Sequence, residues 1–83
     1  MNETSLGTLR KDMSDKLIND LKLARDAESH RASLICANHA SAIQKILNKY
    51  GNKMYGVTNL SFFDFRGGYN SLARDILISA GIT

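Results

Sequence analysis

Residues 8–50 contain neither glycine nor proline, and the whole chain contains no proline. Because proline is the usual breaker of a helix interior, this stretch can remain helical over most of its length. Its apolar residues recur every three or four positions and fall on one stripe of a helix at about 100° per residue. They are Leu9, Met13, Leu17, Leu21, Ala24, Ile35, Ala42, Ile43, Ile46 and Tyr50.

A polar segment, RDAESHR at residues 25–31, interrupts this stripe. Two interpretations stay open. Either one long helix carries a polar belt at Glu28, or two helices are separated by a bend near Ser29, which is an acceptable N-cap residue. The absence of glycine, proline and asparagine from the segment argues against a tight hairpin. One helix over 8–50 would be about 60 Å long and would need a partner chain along it, so this interpretation implies a dimer.

Glycines divide the rest of the chain. Gly51 is predicted to end the helical region, because glycine commonly follows the last turn of a helix. Thr58 is predicted to cap a short helix over 59–66, and a last helix over 72–80 is predicted to end at Gly81. The alternative for SFFDF at 61–65 is a strand, because its side chains alternate between two faces.

These patterns predict a small all-α protein. It has a long N-terminal helical segment, straight or bent, with two short C-terminal helices packed on it. We expect a single helical domain over 1–83 with a flexible N-terminus at 1–7. Because a chain of 83 residues buries only a thin core, we also expect a homodimer.

The net charge of +3 resides in the middle of the chain, since residues 29–63 contain basic side chains and no aspartate or glutamate. One polar face of the helix before Gly51, continued just past it, combines amides and lysines without an acid. Its members are Asn38, Ser41, Lys45, Asn48, Lys49, Asn52 and Lys53. Amides pair with adenine edges, and lysines bind guanine or phosphate. We therefore predict a small non-enzymatic regulatory protein that binds DNA or another nucleic acid through this face. An ordinary solvated face is the competing interpretation.

A protein-binding adaptor or inhibitor is the alternative function. Leu23 and Leu34 project away from the apolar stripe, and SFFDFRGGYN at 61–70 holds all three phenylalanines of the chain. The predicted docking residues are Leu23, Leu34, Phe62, Arg66 and Tyr69. The competing interpretation of the aromatic residues is that they anchor the C-terminal helices to the stripe.

No catalytic, cofactor or metal site is expected. Cys36 and His39 are close enough along a helix to share a metal ion, but a zinc site needs further ligands and the chain has no second cysteine. His39 is predicted to be a packed residue with one hydrogen bond. The N-terminal carboxylates alternate with lysines at helical spacing, which is typical of surface ion pairs. The single cysteine and the absence of a signal or membrane-spanning segment predict a cytoplasmic protein.

Overall fold

The structure, a computed structural model, describes residues 6–65 and 67–82. Four α-helices and two short 3₁₀ helices form it. They are, in chain order, a first 3₁₀ helix (Leu6–Asp12), α1 (Asp15–Arg25), α2 (Ser29–Ala37), α3 (Ala40–Tyr55), a second 3₁₀ helix (Phe62–Asp64) and α4 (Tyr69–Ser79). No strand occurs within the described residues. The all-α prediction is therefore confirmed, and the strand alternative at 61–65 is wrong.

The bend near residue 28 replaces the single long helix. Glu28 caps α2, because its side-chain Oε1 accepts a hydrogen bond of 2.7 Å from the backbone N–H of Arg31. Ser29, the predicted cap, is instead the first residue of α2. A carboxylate at this position also interacts favourably with the positive end of the helix dipole. The chain therefore bends here without glycine or proline.

Two further breaks divide the predicted long segment. Ser14 caps α1 by accepting a hydrogen bond of 3.1 Å from the backbone N–H of Leu17. Asn38 and His39 form the turn between α2 and α3, where the backbone of His39 leaves the helical region (φ −124°, ψ 24°). The sequence analysis predicted neither break, because the apolar stripe continues in phase across both.

α3 does not end at Gly51, as predicted, but at Tyr55. Gly51 is buried inside the helix, and Gly56 follows the last turn in the left-handed region (φ +70°). Burial of the continuing apolar face compensates for the weak helix propensity of an internal glycine, which costs about 1 kcal/mol relative to alanine. A glycine does follow the last turn of the helix, as predicted, but it is Gly56 rather than Gly51.

The C-terminal region has less helix near residue 60 than predicted and more after residue 68. Of the short helix predicted over 59–66, the described residues 59–65 contain only the second 3₁₀ helix, and Asn59 adopts φ +60°, which no right-handed helix accommodates. α4 begins at Tyr69 rather than at residue 72. It ends at Ser79, and Gly81 follows with φ +78°.

α1 packs against α2 and α4, and α2 also contacts α4, so these three helices enclose one part of the core. Ala24, Ala32 and Ala73 are completely buried there, and such small side chains let helix axes approach closely. α3 lies against α2 and both 3₁₀ helices. The predicted stripe is buried apart from Ile35 and Ala42, which are half-buried.

The radius of gyration is 11.8 Å. A single globular chain of this length is expected to have a value of about 12 Å, so no helix projects from the body. One reason to expect a homodimer was that a single long helix over 8–50 would need a partner chain along it. The described residues form several shorter helices instead, so this reason no longer applies, and the homodimer stays a prediction. None of the helices in the described part of the chain is both long and apolar enough to cross a membrane.

Candidate nucleic-acid face and adjoining groove

The residues predicted to bind nucleic acid are all exposed. Six of them lie along α3, and Asn38 lies in the turn before it. We call this set the α3 basic face: Asn38, Ser41, Lys45, Asn48, Lys49, Asn52 and Lys53. From Ser41 to Lys53 it extends about 18 Å at 1.5 Å per residue. The structure thus brings the predicted residues together, while their binding role stays a prediction.

An acidic side chain lies beside this face. The carboxylate of Asp12 accepts a hydrogen bond of 2.9 Å from Lys49 Nζ and one of 2.5 Å from the Tyr50 hydroxyl. Both hydrogen bonds lower the pKa of Asp12, and the one from Tyr50 has the larger effect. The Asp12 carboxylate in turn raises the pKa of Lys49. Sequence reasoning missed this acid because it comes from the first 3₁₀ helix, and no signal in α3 itself could indicate it.

The first 3₁₀ helix brings cations as well. Arg10 and Lys11 directly precede Asp12, and both are exposed. Successive side chains of a 3₁₀ helix point about 120° apart, so these two cations do not share the direction of Asp12 toward Lys49. The α3 basic face nevertheless keeps a positive charge, because it contains three lysines beside the one carboxylate of Asp12.

A groove of about 640 Å³ separates the 12–17 segment from α3. Seven polar or charged side chains and four apolar or aromatic ones line it. Its lining residues are Asp12, Ser14, Leu17, Asn38, His39, Ser41, Ala42, Lys45, Ile46, Lys49 and Tyr50. Four members of the α3 basic face therefore border a concave surface rather than a flat one.

His39 marks one end of this groove. Its Nε2 lies 2.6 Å from Oδ2 of Asp20, and its side chain is 14% exposed. This hydrogen bond, more than the nearby Lys16, lowers the pKa of Asp20. The arrangement agrees with the expected packed histidine, and it ties α1 to the start of α3.

Gln44, beside the basic face, has a structural role. Its amide nitrogen donates hydrogen bonds to the carbonyl of Leu60 (3.0 Å) and to Oδ1 of Asn48 (2.9 Å). Its amide oxygen accepts a hydrogen bond of 2.7 Å from the backbone N–H of Phe62. One side chain thus binds both a donor and an acceptor of the connecting segment's backbone, and it holds that segment against α3.

The predicted docking surface is only partly a surface. Phe62 is 3% exposed, and its ring packs 5.0 Å from that of Tyr69, whose hydroxyl donates a hydrogen bond to the Phe62 carbonyl. Phe62 therefore cannot contact a partner as predicted, because its ring completes the core. Phe63, which was not among the predicted residues, is 76% exposed. Arg66 lies outside the described residues.

Leu23 and Leu34 agree with the expectation of exposure, at 61% and 56%. Cys36 is fully buried, and its thiol donates to the Tyr69 carbonyl at 3.9 Å. Burial raises the pKa of this thiol to about 11. In residues 6–65 and 67–82, no three histidine, cysteine or acidic side chains are grouped closely enough to hold a metal ion.

No family model, curated protein or solved structure matches this chain. Its function is therefore argued from its own residues.

Proposed function

We propose that this protein is a non-enzymatic regulator that binds nucleic acid through the α3 basic face. One observation carries the proposal. Lys45, Lys49 and Lys53 recur at every fourth position on the exposed side of one uninterrupted helix. Each step spans about 6 Å along the axis, so the three ammonium groups follow one line that a phosphate backbone can track.

The amide side chains beside the three lysines supply the proposed recognition of bases. Asn48 and Asn52 lie between the lysines on the same exposed side. Phosphate contacts fix position and orientation, whereas amide contacts to base edges add preference for particular bases. The mechanism we propose is occupancy: the protein regulates by covering its site.

The ion pair between Lys49 and Asp12 reduces the proposed affinity without removing it. Their side chains are 49% and 37% exposed, and pairs of this kind contribute little to stability. Lys49 can therefore exchange Asp12 for a phosphate at small cost, while the carboxylate keeps its hydrogen bond from Tyr50.

Fluorescence anisotropy tests the proposal with labelled random-sequence duplex DNA at 50 and 200 mM salt. Three phosphate contacts predict a log–log salt slope of about −2.7, which means binding roughly 40-fold weaker at the higher salt. The Lys45→Gln variant should reduce the slope by about 0.9. Lys22→Gln, which removes the same charge from α1, is the matched control and should leave the slope unchanged. Absence of binding at both salt concentrations, or equal effects of the two variants, would refute the proposal.

A protein-binding adaptor or inhibitor is the second candidate, and the exposure of Leu23, Leu34 and Phe63 favours it. Docking through these side chains should respond little to salt, and Leu23→Ser or Phe63→Ser should weaken it while Lys45→Gln does not. Light scattering of the same variants tests the proposed homodimer against the monomer mass of 9.2 kDa. If Leu23→Ser converts a dimer into a monomer, the aliphatic surface is the dimer interface.

A further inference from the structure

We propose that the groove between the 12–17 segment and α3 binds a small organic anion, with one phosphate or carboxylate group attached to a flat apolar body. This site goes beyond the nucleic-acid proposal. It shares Lys45 and Lys49 with the α3 basic face, but its binding does not depend on whether the face binds nucleic acid.

The dimensions of the groove suit a small ligand. Its volume of about 640 Å³ falls within the range of roughly 300–1,000 Å³ that is common for ligand sites. Its lining extends along α3 from His39 to Tyr50, a distance of about 16 Å. The groove is therefore elongated, and an extended or flat ligand fits it better than a round one.

The charges of the lining select an anion. Asp12 is the one carboxylate among the lining residues, and it is already engaged by Lys49 and Tyr50. Within the described residues, Lys45 forms no ion pair. The ammonium of Lys45 is thus positioned to take the anionic group, while Lys49, one turn further along α3, and Asp12 offset each other's charge.

The wall of the groove opposite α3 also favours an anion. Ser14 lines the groove and is the N-cap of α1, an eleven-residue helix whose first turn therefore begins at this wall. The N-terminal end of a helix carries a partial positive charge that favours anions. Asp15, in the same first turn, offsets part of this charge, so the lysines make the larger contribution.

The apolar part of the lining argues for more than a bare anion. Leu17 and Ile46 are almost completely buried and Ala42 is half-buried, whereas both lysines are exposed, so the apolar side chains form the deeper part of the lining. An inorganic phosphate held by Lys45 would leave Ala42 and the aliphatic stems of the two lysines uncovered, whereas an apolar body attached to the phosphate would bury them.

The test is a titration followed by ¹H–¹⁵N correlation spectra, with phenyl phosphate as the probe and the full chain as the protein. We expect saturable shifts confined to the groove amides, for example those of Leu17, Ala42 and Lys45, with Kd on the order of 1 mM for a ligand of this size. Inorganic phosphate and phenol, the two halves of the probe, should each bind at least roughly tenfold more weakly.

Two pairs of matched variants locate the site. Lys45→Met should weaken phenyl phosphate binding roughly tenfold, because a charge-assisted contact is lost. Lys53→Met, on the same helix but outside the groove lining, should not. Ala42→Phe should fill the groove and abolish binding, whereas Asn48→Phe, which adds the same ring outside the lining, should leave it intact. The spectra themselves report whether each variant is folded.

Three results would overturn the inference. Shifts that increase linearly without saturation would show that the groove has no site. Equal binding of inorganic phosphate and phenyl phosphate would reduce it to adventitious ion binding at surface lysines. Unchanged binding in Lys45→Met would remove the anion contact on which the inference rests. Because nucleic acid is absent from every sample, none of these results bears on the proposed nucleic-acid function.

Discussion

The hydroxyl of Tyr50 lies 2.5 Å from Oδ2 of Asp12 and 2.8 Å from Oγ1 of Thr8. The residue is completely buried, so these contacts connect the first 3₁₀ helix to the interior of α3. A single phenol thus fixes the N-terminal segment in place and, through Asp12, one end of the groove.

Removing this hydroxyl should destabilise the protein. We expect Tyr50→Phe to lower the free energy of unfolding by about 1 kcal/mol and Tm by about 4–8 °C, because a hydrogen-bonded network loses its central donor. Thermal unfolding followed by circular dichroism measures this. Thr8→Val removes one of the two contacts of the Tyr50 hydroxyl and should also lower Tm. An unchanged Tm in Tyr50→Phe would mean that water replaces the hydroxyl without loss.

Acid should destabilise the protein through two carboxylates. The pKa of Asp12 is lowered mainly by the hydrogen bond from Tyr50, and that of Asp20 mainly by the hydrogen bond with His39. The folded protein therefore binds fewer protons than the unfolded chain below about pH 4, where free aspartates titrate. Their contribution to stability is present above this pH and is lost as the pH falls through the lower folded-state pKa values.

Urea unfolding at pH 7, 5 and 3 checks this expectation. Wild type should lose stability mainly between pH 5 and 3, and Asp12→Asn should lose less over the same interval because one of the two carboxylates is absent. Asp64→Asn removes the same charge from an exposed position in the second 3₁₀ helix and should behave like wild type. Identical pH profiles for all three proteins would contradict the assignment.

Two glycines of α3 should respond oppositely to alanine. Gly51 is helical, and an added Cβ would lie 3.9 Å from the Cβ atoms of Leu47 and Leu60, which is ordinary contact. Gly51→Ala should therefore stabilise the protein by about 0.5–1 kcal/mol. Gly56 has φ +70°, so Gly56→Ala should destabilise it by about 1 kcal/mol through backbone strain despite open space around it. Equilibrium urea unfolding measures both, and equal signs would contradict the backbone assignment.

The thiol of Cys36 should be unreactive in the folded protein. Burial raises its pKa to about 11, so it remains protonated at pH 8 as well as inaccessible. We expect a disulfide reagent to react slowly at pH 8 and to become fast when urea unfolds the chain, because the thiolate is the nucleophile. Rapid reaction in native buffer would show that the contact between α2 and α4 opens readily.

The sequence was sufficient for the parts of the fold that depend on periodicity. Leu9, Leu17, Leu21 and Ile43 were expected on one apolar stripe, and all are buried. However, apolar residues can keep the same helical phase along the chain even where the helix itself is interrupted. Caps formed by Ser14 and Glu28 compete locally with helix propagation, and the energy that decides between them comes from packing onto α4, which no local pattern contains.

The candidate site shows the same division. The α3 basic face could be predicted because all its helical members belong to one element with one period. The groove could not be predicted, because its second wall comes from the 12–17 segment. Contacts such as that between Asp12 and Lys49 join residues far apart in the chain, and only the fold sets their distance.

The hydrogen bonds of Gln44 make it possible to measure how often the segment after α3 opens. The backbone N–H of Phe62 donates to a side-chain amide rather than to a neighbouring carbonyl. Its proton can therefore exchange with solvent only when Gln44 releases it, whether or not α3 itself unfolds. The exchange rate of this one amide measures how often the aromatic segment detaches from a helix that remains intact.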